Sequence, residues 1–198
     1  MKQKFNIIES TCVPLPLENV DTDQIIPARY LKETTREEKF FGAHLFQDWR
    51  FKADGQPNPA FVLNDPRYSG CILVAGRNFG NGSSREHAAW ALAGYGFKVV
   101  ISSFFADIHR QNELNNFVLP VTVDPAFLQE LLDSIAADPG TRVRVDVGNQ
   151  AVTNLATGRT ATFPLDAYKK YCLMNGLDDI DYLLAHKKEI EAYEIQHR

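Results

Sequence analysis

The chain has 198 residues, with 21 Lys and Arg against 25 Asp and Glu, a formal net charge of −4 and 44% hydrophobic residues. That length suits one domain, able to bury about 70% of its unfolded surface without a disulfide or metal staple. The acidic balance argues against a nucleic-acid binder, no apolar run approaches the roughly 20 residues of a bilayer span, and the polar start MKQKFNIIES is no signal peptide, so a soluble cytoplasmic protein is expected.

FNIIE (5–9) reads as a short strand. Pro14, Pro16 and Pro27 keep the following TCVPLPLENVDTDQIIPARYL out of any helix interior, so strand ends and loop are expected there. Asp21 and Asp23, one residue apart in such a segment, point apart and suit turn-forming hydrogen bonds better than a metal or catalytic pair. The stretch from Lys32 to Asp48 turns from charged to aromatic, with Phe40, Phe41, Leu45 and Phe46 at near-helical spacing for a short helix or two. Its aromatic residues belong in a core or, accompanied by Trp49 and Arg50, at a subunit interface. DGQPNPAFVLNDPRYSG is loop.

CILVA (71–75) is a continuous apolar run of strand length, hence a buried strand. GRNFGNGSS is a Gly-rich turn, and REHAAWALAGYG an Ala-rich helix stopped by Gly94 and Gly96. KVVISS (98–103) is the next strand, FADIHRQNELNN a second helix and FVLPVTV (117–123) a third strand. Strand and helix in alternation imply parallel pairing with right-handed crossovers, and place ligand-binding loops at the carboxyl ends of the strands. AFLQELLDSIAA is a helix ending at Pro139-Gly140. RVRVDVG then alternates at period two, with Val143, Val145 and Val147 on one face. Turns at Asn149-Gln150 and Thr157-Gly158 join short antiparallel strands ending near TFPL. The tail is helical from about Ala167 to Asn175 and from Asp178 onward, with HKKEIEAYEIQHR a solvated helix. No repeat, low-complexity segment or linker interrupts the chain, so one mixed α/β domain is expected.

Cys12, Cys71 and Cys172 are far apart, with no C-x-x-C spacing. An odd, sparse set fits a reducing compartment and makes neither a disulfide framework nor a close-spaced cluster site. Cys71 and Cys172 read as buried small hydrophobes.

The chemistry concentrates in GRNFGNGSSREHA (76–88), between a buried strand and a helix. Ser83 followed by Glu86 is a capping-box pattern that puts the helix start near Ser83. Gly76, Gly80 and Gly82 permit positive φ and close approach to a ligand. Free N–H groups and the positive dipole end of the helix make an anion site. Arg85 in the first turn opposes that dipole, so it calls for a negative partner such as a carboxylate or phosphate. The loop has no P-loop Lys, Arg85 breaks G-x-G-x-x-G, and G-x-S-x-G is absent. His87, four residues after Ser83, suits capping or packing better than a Ser–His pair. On the residues alone, a well-capped structural turn and an anion-binding cradle both remain open.

Together, NVDTDQIIPARYL (19–31), GRNFGNGSSREHA (76–88) and SSFFADIHRQNELNNFVLP (102–120) resemble the swivelling domain of the aconitase family. The length and C-terminal pattern resemble the free-standing small subunits of its isopropylmalate dehydratase branch. The resemblance implies a swivelling β/β/α domain over 1–198, with a parallel βαβαβ core, added antiparallel strands and C-terminal helices. The motif-bearing part would cover about 1–125, and the C-terminal strands and helices about 126–198. It implies a hydro-lyase of leucine biosynthesis that dehydrates 2-isopropylmalate and rehydrates the alkene to 3-isopropylmalate. The cofactor, a [4Fe–4S] cluster, would sit on a separate large subunit in a heterodimer or heterotetramer, with no metal held by this chain. By motif position Ser83 would be the base, while Ser84, Arg85 and the Gly82 N–H would hold a carboxylate of a hydroxy-dicarboxylate substrate. Arg29, Leu31 and Lys32 fall where such subunits read the variable substituent. Small subunits for citramalate or homoaconitate are the alternatives within the family: a second basic group there would suit a longer acid with a third carboxylate, an apolar pocket isopropyl. His109 stands where these subunits commonly carry an apolar aromatic, so no shared catalytic role attaches to it. Asn112 and Asn116 are expected to cap and orient their helix. The remaining alternative is a non-catalytic anion-binding module.

A serine hydroxyl is a very weak acid. A helix N-terminus supplies at most about 2 kcal/mol, roughly 1.5 pKa units. Loss of hydroxide also calls for a Lewis acid, for which the sequence shows no close-spaced ligand set. The site is expected to be half of one, completed by a partner.

Overall fold

A computed structural model of the chain describes residues 2–33 and 37–197; residues 34–36 of the charged stretch lie outside the described residues. Strand β1 (Ile7–Leu15) organises the sheet, because its two halves pair with different neighbours. Ile7 to Thr11 runs antiparallel to β5 (Arg142–Asp146), and Cys12 to Leu15 runs parallel to β2 (Ile72–Ala75). β3 (Val99–Ser102) and β4 (Leu119–Thr122) continue the parallel side as expected. β6 (Ala151–Asn154) and β7 (Thr160–Thr162) continue the antiparallel side. The order is β4-β3-β2-β1-β5-β6-β7 in a seven-stranded sheet.

β1 runs on to Leu15, well past the FNIIE strand read from the sequence. Pro14 does not stop it. Beyond Thr11 one flank of β1 carries no ladder to β5, the edge-like setting in which a sheet tolerates proline. The next segment also differs from the expected loop: α1 (Thr22–Ile25) forms behind a capping box. Asp21 accepts from the Gln24 N–H at 2.8 Å, and Gln24 Oε1 accepts from the Asp21 N–H at 2.9 Å.

β2 and β3 are buried along their whole length, so their sequences have no polar face. Alternate residues feed two cores. Ile72 and Val74 pack with Cys12, Val99, Ile101 and Val121 on one side of the sheet. Leu73 and Ala75 meet Val13, Leu15 and Val100 on the other. Helix α6 (Pro125–Ala137) covers the first core with Phe127, Leu128, Leu131 and Ile135. Asp124 caps it, accepting from the Phe127 N–H at 2.8 Å, and Pro125 occupies the first turn. Val143, Val145 and Val147 are all buried, as the period-two pattern predicts.

α2 (Glu38–Ala43), α3 (Gln47–Arg50) and α4 (Glu86–Tyr95) lie over the second core. Phe41, Leu45 and Phe46 are fully buried there, and half-buried Trp49 stacks on Phe46 at 5.6 Å. Phe41, Leu45 and Phe46 are therefore core residues. α5 (Asp107–Asn115) follows β3. Asn116 caps its C-terminus and donates from Nδ2 to Glu86 of α4 at 3.0 Å, the orienting role expected of it. α7 (Ala167–Asn175), α8 (Asp179–Ala185) and α9 (Lys187–Gln196) close the chain, the last exposed throughout.

Candidate active site

β2 delivers the chain to Gly76, where the backbone crosses Leu17. A Cβ at 76 would lie 2.4 Å from the Leu17 carbonyl oxygen. Gly76 thus serves a backbone crossing, not the positive φ expected of it. Gly80 and Gly82 do have positive φ, at +77° and +87°. The turn they form is fixed from two directions. The Gly80 and Asn81 N–H groups both donate to the Val20 carbonyl, at 2.8 and 3.2 Å, and the Thr22 N–H donates back to Asn81 at 3.0 Å. The Thr22 hydroxyl donates to the Ser83 carbonyl at 2.9 Å. From the other side, the Phe79 N–H donates to the Phe104 carbonyl at 3.2 Å and the Ala106 N–H to the Phe79 carbonyl at 3.1 Å. Three stretches remote in sequence thus become one hydrogen-bonded unit.

Helix α4 starts at Glu86 with Arg85 as its N-cap, not near Ser83. Both members of the expected capping box are engaged elsewhere. The Ser83 carbonyl accepts from Thr22 Oγ1 and from the Arg85 N–H, and the Glu86 carboxylate accepts from Asn116. The consequence is chemical: Ser83 and Ser84 are exposed, and among the described residues neither hydroxyl makes a hydrogen bond. Arg85 is mostly buried, and its Nη1 pairs with Asp23 of α1. The anionic partner its position demands therefore lies within the chain, and Asp23 is an ion-pair residue where the sequence suggested a turn former. Asp21 does take the local hydrogen-bonding role. His87 packs against Phe41 and Trp90, with ring centroids 5.3 and 4.5 Å away, and burial pushes its pKa down. It packs; it does not serve Ser83.

Arg29, Leu31 and Lys32 sit on a 3₁₀ turn, Ala28–Lys32, just beyond α1. Arg29 grips Asp48 of α3 with two nitrogens, Nη1 lying 3.2 Å from Oδ2, and this holds the Asp48 carboxyl below the usual carboxylate range. Leu31 is half-buried and Lys32 exposed. Among the described residues no hydrogen bond or ion pair joins this turn to the Ser83 loop. The connection runs through α1, whose Thr22 and Asp23 both touch the loop.

Residues 2–126 match the Aconitase C-terminal domain family. The 3-isopropylmalate dehydratase small subunit of Cytophaga hutchinsonii is 58% identical over 97% of this chain and 94% of its own length. That of Anaeromyxobacter dehalogenans is 55% identical over 97% of both chains. The chain belongs to the 3-isopropylmalate dehydratase small-subunit family. Its fold is that of the 3-isopropylmalate dehydratase from Methanocaldococcus jannaschii, with a TM-score of 0.66 at 26% identity over 95% of this chain and 99% of that one.

Small subunits of aconitase type raise the question of a cluster, and this chain's own residues do not fit one. Among the described residues no group of three His, Cys, Asp or Glu side chains converges to hold a metal ion. Cys12 is buried in β1, where burial raises its thiol pKa, and Cys172 is buried in α7. Cys71 is half-buried, less enclosed than its apolar run suggested. A cavity of about 600 Å³ opens by the strand ends, lined by Pro14, Gly76, Arg77, Ser103 and Leu128, but Ser83 is not in its wall. The two serine hydroxyls stand on an open surface.

Sequence reading also missed a polar pair beside the loop. His109 and Glu113, one turn apart on α5, are 2% and 0% exposed, with His109 Nε2 2.9 Å from Glu113 Oε1. The i, i+4 spacing of a base and an acid on a helix was the available signal.

Proposed function

We propose that this chain contributes the base and part of the carboxylate site to a 3-isopropylmalate dehydratase. As a small subunit of that family it belongs to a hydro-lyase of leucine biosynthesis, which interconverts 2-isopropylmalate and 3-isopropylmalate together with a large subunit. The observation that carries the assignment is the pair of hydrogen-bond-free hydroxyls, Ser83 and Ser84. They stand at the N-terminus of a ten-residue helix, beside the Arg85 guanidinium, on a loop fixed at Val20, Thr22 and Phe104.

Ser83 Oγ takes the proton from the carbon adjacent to a substrate carboxylate. Ser84, Arg85 and the Gly82 N–H hold that carboxylate, with Arg85 oriented by Asp23. The helix N-terminus lowers the cost of the serine alkoxide by at most about 2 kcal/mol. Arg85, partly neutralised by Asp23, does not close the remaining gap. The rest of the field must come from across the open face. We assign it to the large subunit, together with the [4Fe–4S] cluster that activates the departing hydroxyl, in a cytoplasmic heterodimer or heterotetramer. Arg29, Leu31 and Lys32 read the variable substituent. Asp48 holds the Arg29 charge and Leu31 is half-buried, which favours a branched apolar group over the third carboxylate of homoaconitate, with exposed Lys32 left as the basic group of the turn that has no ion pair among the described residues.

The test is Ser83→Ala in the complex with the large subunit. Turnover of 2-isopropylmalate should fall by about 10²–10⁴-fold, while the two chains still co-purify. Near-normal turnover would remove Ser83 from the base role and favour a non-catalytic anion-binding module.

A further inference from the structure

The His109–Glu113 pair is not used by the chemistry above. Burying two ionisable groups costs desolvation that apolar residues would not, so stability gives no reason for them here. His109 Nε2 faces Glu113 Oε1 at 2.9 Å, and none of the four polar atoms of the pair makes a hydrogen bond, so the pair is not a link in a wider polar network. The imidazole does touch the loop. A Cβ on Gly80 would fall 2.0 Å from His109 Cδ2 and 2.1 Å from Cγ. The Phe79 ring meets the same imidazole edge-on, with centroids 5.5 Å apart.

We propose that His109 is a positioning residue for Ser83: its imidazole, enclosed against Glu113 and Phe79, is the packing floor of the Gly80 turn. The proposal builds on the reading of Ser83 as the base. Hydrogen bonds to Val20, Thr22, Phe104 and Ala106 hold the peptide groups of Phe79, Gly80, Asn81 and Ser83. They leave the Ser83 hydroxyl itself unheld, and the imidazole fills the space beside Gly80 into which the turn could relax, admitting no side chain at position 80. Ser83 follows three residues later on the same turn, so a shift at Gly80 is passed to its hydroxyl. A displacement of about 1 Å at a reacting group is worth roughly 10²-fold in rate.

The experiment compares two variants of the chain in complex with the large subunit, each with Glu113→Gln so that no lone carboxylate is left buried. His109→Ala should lower kcat about 10²-fold with KM unchanged. The amides of Gly80 and Asn81 should then exchange faster, while those of β2 stay protected. His109→Phe, which keeps a ring, should restore both readouts. Wild-type kcat in the Ala variant, or a folded Phe variant as slow as the Ala one, overturns the proposal. Should the Ala variant fail to assemble, His109→Leu decides. It keeps bulk but no ring against Gly80, so reduced kcat with faster exchange at Gly80 and Asn81 supports the floor, and wild-type kcat with wild-type exchange overturns it. Ser83→Ala measured alongside separates the two ideas. Retained turnover there removes the base assignment; an inactive Ser83→Ala beside unaffected His109 variants removes only the positioning role.

Discussion

Arg85 and Arg29 show how one residue type serves two ends through its neighbour. Asp23 of α1 pairs with Arg85 Nη1, so the carboxylate orients the guanidinium as well as screening it. Asp23→Ala is therefore expected to raise KM for 2-isopropylmalate several-fold with a smaller change in kcat, read from steady-state kinetics of the complex. A fall in KM would mean that Asp23 merely competes with substrate. Arg29 is gripped on two nitrogens, and Asp48→Asn should loosen it. In that variant kcat/KM for homoaconitate should rise relative to 2-isopropylmalate; an unchanged ratio would separate Arg29 from specificity. The residue types at 83–85 left a capped turn and an anion cradle both open from sequence alone. Their partners were not legible, because Asp23 and Arg85 meet only once the chain has folded, and no local pattern encodes a contact between segments so far apart.

At the scale of elements, β2, β3 and β4 were readable because buried parallel strands are apolar on both faces and cannot be mistaken for amphipathic ones. The period-two valines of β5 were equally plain. β1 was read short, since proline is a breaker in a central strand but not on a flank without a ladder. The start of α4 was misplaced because two tertiary bonds, from Thr22 to the Ser83 carbonyl and from Asn116 to Glu86, outweigh a local capping box. Helix α1 was missed although Asp21-Thr22-Asp23-Gln24 carries such a box. That small element presents both Thr22 and Asp23 to the loop. Asp21→Ala should cost about 1 kcal/mol of stability by thermal melting, and it should also lower kcat, since the cap and the loop share one support. Loss of stability with full turnover would uncouple them.

The whole molecule is joined at β1, which spends one half in the parallel ladder and the other in the antiparallel one. The motif-bearing part, about 1–125, is for this reason expected not to fold on its own. Cutting there removes β5, the partner of Ile7 to Thr11, and strips Phe127, Leu128, Leu131 and Ile135 from the first core. Fully burying each such side chain is worth about 1.5–3 kcal/mol, comparable with a large share of the 5–15 kcal/mol that typically separates folded from unfolded chains. We therefore expect calorimetry of the isolated chain to show one unfolding transition, and a 1–125 fragment to lack a cooperative one; a folded fragment would divide the chain into two domains. The same integrity does not extend to the chemistry. The serine hydroxyls lie on an open face, and no metal-holding group converges among the described residues. The intact, folded chain alone should accordingly show no dehydration of 2-isopropylmalate by product assay, with turnover appearing on titration with the large subunit and saturating at a fixed ratio. Turnover by the purified chain alone would mean that the field needed to ionise Ser83 is generated within it, and the division of the site between two chains would fall.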